Sequence, residues 1–207
     1  MDINIIRPGY VPKGNGLIEV EIFPITTIIK PLVLFDRGKT TTIKGILLSS
    51  LLQERKVSHR MAKECQRRLT SKGYDPDIEI LYDNKNNPVY PGVSIQAGAS
   101  LAVWAETDTG CLIGSDMAGA LGRPAEYIGK KVANCLIQVL ETEATVDEHT
   151  ADQRIPFCAL ADGWSSYLIP KLTDHIETRL WLVEKMLGAK TQVEGNRIRI
   201  KEIGYRR

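Results

Sequence analysis

The sequence predicts a mixed α/β fold with two sheets. Three observations carry that expectation. Short runs rich in β-branched and apolar residues, such as "LIEVEIFP" at 17–24 and "TTTIKGILLSS" at 40–50, have the length and bounding turn residues of strands. Other segments space their apolar residues by three or four, as helices do, notably 59–73, 124–140 and 174–188. The chain has 207 residues, 43% of them hydrophobic, which suffices for one large or two small domains with a substantial core.

The elements follow in order. "INII" and "LIEVEIFP" read as two strands joined by the Gly/Pro turn "RPGYVPKGNG". "KPLVLF" at 30–35 reads as a third strand ending at "DRG", and 40–50 as a fourth. "HRMAKECQRRLTSKG" is a helix through Met61, Cys65 and Leu69, closed by Gly73. "DIEILYD" and "SLAVWAET" are strands on either side of the loop "NKNNPVYPG", and "CLIGSDM" is a candidate for another. "PAEYIGKKVANCLIQVL" opens with a first-turn proline and places Ile128, Val132, Leu136 and Val139 on one face. A helix over about 150–161 is expected to bury Ile155, Cys158 and Ala159. The next, 174–188, is expected to bury Ile176, Leu180, Val183 and Leu187 and to stop at Gly188. "TQVEGNRIRIKEI" is a hairpin about Gly195-Asn196.

Composition excludes some functions. The longest apolar stretch, "GILLSSLL" at 45–52, falls far short of the roughly 20 residues of a membrane span, and no charged-then-apolar leader opens the chain, so a cytoplasmic protein is expected. Cys65, Cys111, Cys135 and Cys158 lie far apart, without CxxC pairs or histidines at finger spacing, which reads as reduced, mostly buried thiols. A net charge of +2 spread over interspersed acids and bases leaves the partner open.

Two polar segments carry candidate chemistry. In "TDHIET", Asp174 is a good N-cap with Glu177 three residues later, which makes His175 the first helical residue. The positive end of the helix dipole there favours an uncharged imidazole, a competent nucleophile or base, and the free N–H groups can receive phosphate oxygens. A surface histidine in a capped first turn fits the spacing as well. In "DEHTADQ", Asp147 or Thr150 could cap, with Asp152 and Gln153 in the first turn. His149 and Asp152, three apart, could face one cleft and hold a metal-bound phosphate or the polar edge of a nucleotide. Plain capping residues are the alternative. "GYVPKGNG" lacks the Lys-Ser/Thr ending of a P-loop and reads as a hairpin turn. "GSDMAGALG" does not match GxGxxG, and no GxSxG occurs.

The order of several motifs resembles one family. "GYVPKGNGLIEVEI", "DRG", "GSDMAGALGRPAEYIGKKVA", "VDEHTADQRIPFCALADG" and "LTDHIETRLWLVEKMLG" are similar to the C-terminal part of RNA 3'-terminal phosphate cyclases, most like the archaeal form. The resemblance implies the RNA cyclase/EPSP synthase-like α/β (α+β) fold, whose repeat unit is a four-stranded sheet with two helices and which carries a smaller inserted α/β domain. It would place the insert at 36–141 and the third repeat unit at 1–35 and 142–207. It implies ATP-dependent conversion of an RNA 3'-phosphate to a 2',3'-cyclic phosphate through a histidine-AMP adduct. His175 would be the nucleophile, with Asp152 and Gln153 in the nucleotide site and His149 at the adenine pocket. A divalent ion, Mg2+ or Mn2+, would accompany ATP, nearest Asp152.

By the same resemblance the chain begins where the third unit would begin. The earlier units, with their active-site glutamate, glutamine and arginines, would come from another chain or a homo-oligomer. Arg179 stands where many relatives carry asparagine and is expected to be peripheral, a turn beyond His175. The competing readings are a non-catalytic, cyclase-like RNA or ribosome-assembly factor and an inactive remnant with exposed apolar surface.

Overall fold

The structure, a computed structural model, describes residues 1–201. The chain divides into two compact units. The first comprises Met1–Pro24, Thr42–Ala105 and Gly114–Ile137; the second comprises Ile25–Thr41, Glu106–Ile113 and Gln138–Arg207.

The first unit opens with an antiparallel ribbon, β1 (Asp2–Arg7) and β2 (Leu17–Glu21), in which Ile3 faces Val20 and Ile5 faces Ile18. Both strands stay largely exposed, and Ile3, Ile5, Ile18 and Val20 are each at least 40% accessible. The main sheet follows: β3 (Thr40–Ser50), β4 (Pro76–Asp83), β5 (Gly98–Thr107) and β6 (Leu112–Ala118), in the order β4-β3-β5-β6. β3 and β4 are parallel, a pairing that needs a crossover connection, which the helix α1 (Val57–Thr70) supplies. Alternation along β3 buries Ile43, Gly45, Leu47 and Ser49, and along β5 Ala99, Leu101, Val103 and Ala105.

α1 turns Met61, Ala62, Cys65 and Leu69 inward, and α2 (Ala125–Leu140) turns Ile128, Val132 and Leu136 inward. The two helices approach closely where α2 carries Gly129: a Cβ there would lie 2.3 Å from the Met61 carbonyl oxygen. At the end of α1, Tyr74 N donates to Leu69 O and Gly73 N to Thr70 O, with Gly73 at φ +85. This is a Schellman closure, which needs the left-handed residue that the sequence supplies as glycine.

The second unit is built on a three-stranded antiparallel sheet of order β7-β9-β8, from β7 (Trp164–Leu168), β8 (Lys190–Glu194) and β9 (Arg197–Lys201). Its helices are α3 (Glu148–Gln153) and α4 (Ile155–Leu160), which precede β7, and α5 (Asp174–Leu187), between β7 and β8. One sheet face packs on the helices, joining Tyr167, Ile198 and Ile200 to Ile155, Cys158, Ile176, Leu180 and Val183. Each such aliphatic side chain removed from water contributes about 1.5–3 kcal/mol. α5 ends at Gly188, φ +72, whose N–H bonds Glu184 O at 3.1 Å.

Several expectations need correction. Residues 30–35 form no full strand. They run beside β7 through a single parallel bridge, Val33 to Ser166, with Ser166 N donating to Leu32 O at 2.7 Å and Leu34 N to Ser166 O at 2.8 Å. The helix expected over 150–161 is two short helices broken at Arg154, because Pro156 lacks the N–H that a continuous ladder needs and its ring clashes with the preceding turn. β7, between α4 and α5, was not anticipated. The hairpin about Gly195 is present as β8 and β9, while its expected last residues, Glu202 and Ile203, lie outside the described residues.

Packing also groups Met1–Pro24 with the four-stranded sheet, through Gly92 N to Ile6 O at 2.7 Å and the fit of Gly98 under the Tyr10 ring. This division by packing differs from the insert boundaries that the resemblance implies in where it places Met1–Pro24. All four cysteines are free, three of them buried and Cys135 partly so. Burial pushes the Cys65 thiol up to about 12. Among the described residues no helix is long and apolar enough to cross a membrane.

Candidate active site

The candidate residues all fall in the second unit, on α3 and α5. α5 begins one residue earlier than its sequence suggests. Its N-cap is Thr173, whose Oγ1 accepts from Ile176 N at 3.3 Å, so Asp174 is the first helical residue and His175 the second. Threonine takes the cap because its extended backbone, φ -126 and ψ 157, turns the hydroxyl back over the first turn. Glu177 therefore lies four residues after the cap and does not close a capping box. His175 is exposed on this turn, while Ile176 behind it is fully buried.

α3 is capped by Asp147, the first of the two expected candidates. Its carboxylate accepts from Thr150 N at 2.8 Å and Thr150 Oγ1 at 2.9 Å. The helix is only six residues long, so Asp152 and Gln153 stand in its last turn rather than its first. His149, Asp152 and Gln153 are related by three and four positions and share one face. His149 and Gln153 are exposed and Asp152 is half-buried.

Two ion pairs join α3 to the α5 segment: Lys171 Nζ to Glu148 Oε2 at 3.1 Å, and Arg179 Nε to Asp152 Oδ2 at 3.2 Å. Arg179 is thus not peripheral. It lies four residues after His175, one turn along the same face of α5, and it holds the carboxylate of the α3 face that carries His149 and Gln153. This pair joins α3 to the second turn of α5. A third support is Tyr167 of β7, fully buried, whose hydroxyl donates to Ala151 O at 2.7 Å and ties the last turn of α3 to the sheet. Burial pushes that phenol well above its ordinary range.

Sequence reasoning missed both Tyr167 and the role of Arg179. "WSSYL" after Gly163 has strand composition and could have signalled β7, whereas nothing in the spacing of Arg179 names Asp152 as its partner.

The donors do not form a resident metal site. Asp152 is engaged by Arg179, and among the described residues no group of three His, Cys, Asp or Glu side chains could hold an ion. The arrangement offers an exposed imidazole at the start of α5, and on α3 a polar face of His149 and Gln153 with a carboxylate balanced by the Arg179 guanidinium.

A four-stranded sheet with two helices, accompanied by a smaller sheet-and-helix unit, makes this a mixed α/β protein consistent with the RNA cyclase fold. Comparison with known proteins narrows the class. The family RNA 3'-terminal phosphate cyclase matches residues 1–193, and the chain belongs to it. Proteins named RNA 3'-terminal phosphate cyclase are similar throughout: that of Methanopyrus kandleri is 33% identical over 94% of this chain and 54% of its own length. Those of Pyrobaculum aerophilum and Thermococcus onnurineus are 34% and 36% identical, over 100% and 94% of this chain and 58% and 53% of their own. The chain spans about half the length of these relatives.

Proposed function

We propose that this chain carries the nucleotidyl-transfer centre of an ATP-dependent RNA 3'-terminal phosphate cyclase. The observation that supports it most is the Arg179–Asp152 pair, which joins the helix carrying His149, Asp152 and Gln153 to α5, four residues after His175.

In this reading an unprotonated imidazole nitrogen of His175 attacks the α-phosphorus of ATP, and pyrophosphate leaves with the electrons of the broken P–O bond. An oxygen of the RNA 3'-phosphate then displaces His175 from the adduct, taking the AMP. The neighbouring 2'-hydroxyl attacks the activated 3'-phosphorus, loses its proton, and expels AMP as the ring closes. His149 would contact the base, while Gln153 and Asp152 with its Arg179 partner would face the phosphates. The first-turn N–H groups of α5 contribute donors to a phosphate oxygen. A divalent ion, magnesium or manganese, belongs to this reading as part of the ATP complex rather than as a resident of the chain.

The reading includes a partner. Ile3, Ile5, Ile18 and Val20 leave the β1–β2 ribbon apolar on its exposed surface, which supports a second chain or a further copy covering it. The partner would also supply the rest of the site.

Incubation with α-labelled ATP, with and without the N-terminal half of a relative, tests the proposal. Label that is acid-labile, alkali-stable and absent from His175→Ala is the expected result. Folded protein that takes no label in either arm overturns it.

A further inference from the structure

We infer that the outer face of the β7-β9-β8 sheet is a binding track for single-stranded RNA, separate from the His175 turn. In naming RNA it rests on the reading above; its test does not.

Along β9, Ile198 and Ile200 enter the core, so Arg197, Arg199 and Lys201 project from the opposite face, at steps of about 6.8 Å. Antiparallel register extends that face sideways: Lys201 stands opposite both Trp164 of β7 and Lys190 of β8. Phe35 joins at the β7 side, beyond the Val33 bridge, and is 65% exposed. Four cations thus share one open sheet face with two aromatic rings. Glu194 stands opposite Arg197 at the hairpin end, and Asp36 and Glu143 line the pocket at the Phe35 edge.

The cations and rings are already layered. The Arg197 guanidinium lies 5.6 Å from the Phe35 ring centroid, Arg199 lies 4.9 Å over Trp164, and the Lys201 ammonium lies 6.0 Å from the same ring. Their only neighbouring hydrogen bond among the described residues is a long one, Arg197 Nη1 to Ser166 Oγ at 3.5 Å. None of the four cations makes an ion pair with a described residue. A guanidinium stacked on a ring is held in place while its outer face and N–H edge stay available.

That combination selects the occupant. Unpaired cations attract a polyanion, and a polyanion whose planar bases can stack on the rings and guanidiniums makes use of both features. A duplex hides its bases, and a purely acidic peptide or an anionic lipid surface would leave the rings without a partner. Single-stranded RNA is the polyanion that the proposed reaction already requires.

Fluorescence anisotropy of a labelled single-stranded RNA of about ten nucleotides, read across a salt series, tests this with the intact chain. Arg199→Gln with Lys201→Gln is expected to weaken binding by about tenfold or more and to reduce the salt slope by about 1.4, near 0.7 for each lost phosphate contact. Trp164→Ala is expected to weaken it about tenfold with little change in slope. Lys201→Gln alone, on an exposed strand position, keeps the test available if the double variant fails to fold. Parental affinity in the folded double variant overturns the proposal, as does equal affinity for duplex RNA, heparin or anionic vesicles. Loss of ATP labelling with RNA binding intact overturns the cyclase reading and leaves this one standing.

Discussion

Replacing Tyr167 with phenylalanine removes a single oxygen from the support of the α3 turn. The side chain is fully buried, and its hydroxyl donates to Ala151 O at 2.7 Å. Phenylalanine keeps the ring and its packing, so almost no cavity opens. What remains is a buried carbonyl without its donor, which costs about 1–3 kcal/mol. For a chain of this length that corresponds to a fall in Tm of roughly 2–12 °C. The folded-state phenol titrates well above its ordinary value near 10, because burial disfavours the phenolate. Its contribution to stability is therefore complete below about 10 and declines as the pH rises beyond that, so the difference between the two proteins should narrow in alkali. Ala151 directly precedes Asp152 and Gln153, and the variant should also take up AMP label more slowly than the parent under conditions where the parent is labelled. Urea and thermal melts of both proteins measure the first effect. A change within about 0.5 kcal/mol, the range of an ordinary surface substitution, would refute the claim that this bond anchors α3.

Three further outcomes follow from the same structure. Arg179→Asn should lower stability by under about 1 kcal/mol, because the pair with Asp152 is partly solvated, and the deficit should shrink as salt is raised; a deficit that salt does not touch contradicts an ion-pair origin. Gly129→Ala should destabilise by about 1–3 kcal/mol or more, since the added Cβ would meet the Met61 carbonyl at 2.3 Å, and an unchanged melting curve would show that α1 and α2 do not approach so closely. Hydrogen bonds from Arg67 and Arg68 hold the Glu64 carboxyl at about 2, below its ordinary value near 4.5. The stabilisation from that exposed network, a few tenths of a kcal/mol, is present above about 4.5 and lost as the pH falls through about 2. A Glu64→Gln variant should accordingly match the parent only at the acid end, and a gap constant with pH would contradict the assignment.

The residues themselves determined the mixed α/β class, most helices and strands, and the two glycines that end α1 and α5. In each case the cause is local: apolar spacing with a period, or a left-handed position that only a residue without a Cβ adopts readily. His149 and Asp152 were also legible as neighbours, because a spacing of three defines a helix face wherever the helix happens to start, whereas Gln153 joined them only through the resemblance. The exact cap of α5 was not, since Thr173 and Asp174 are both good caps and the backbone angle decides between them. Nor was the break at Arg154 that moves Asp152 to the end of α3.

Tertiary structure alone decided the contacts between elements distant in sequence. Arg179 finds Asp152, Tyr167 finds Ala151, and Arg199 stacks on Trp164 because the sheet and helices bring those segments together. Long charged and aromatic side chains have many possible partners of similar intrinsic energy, and only the packing of the buried faces beneath them selects one.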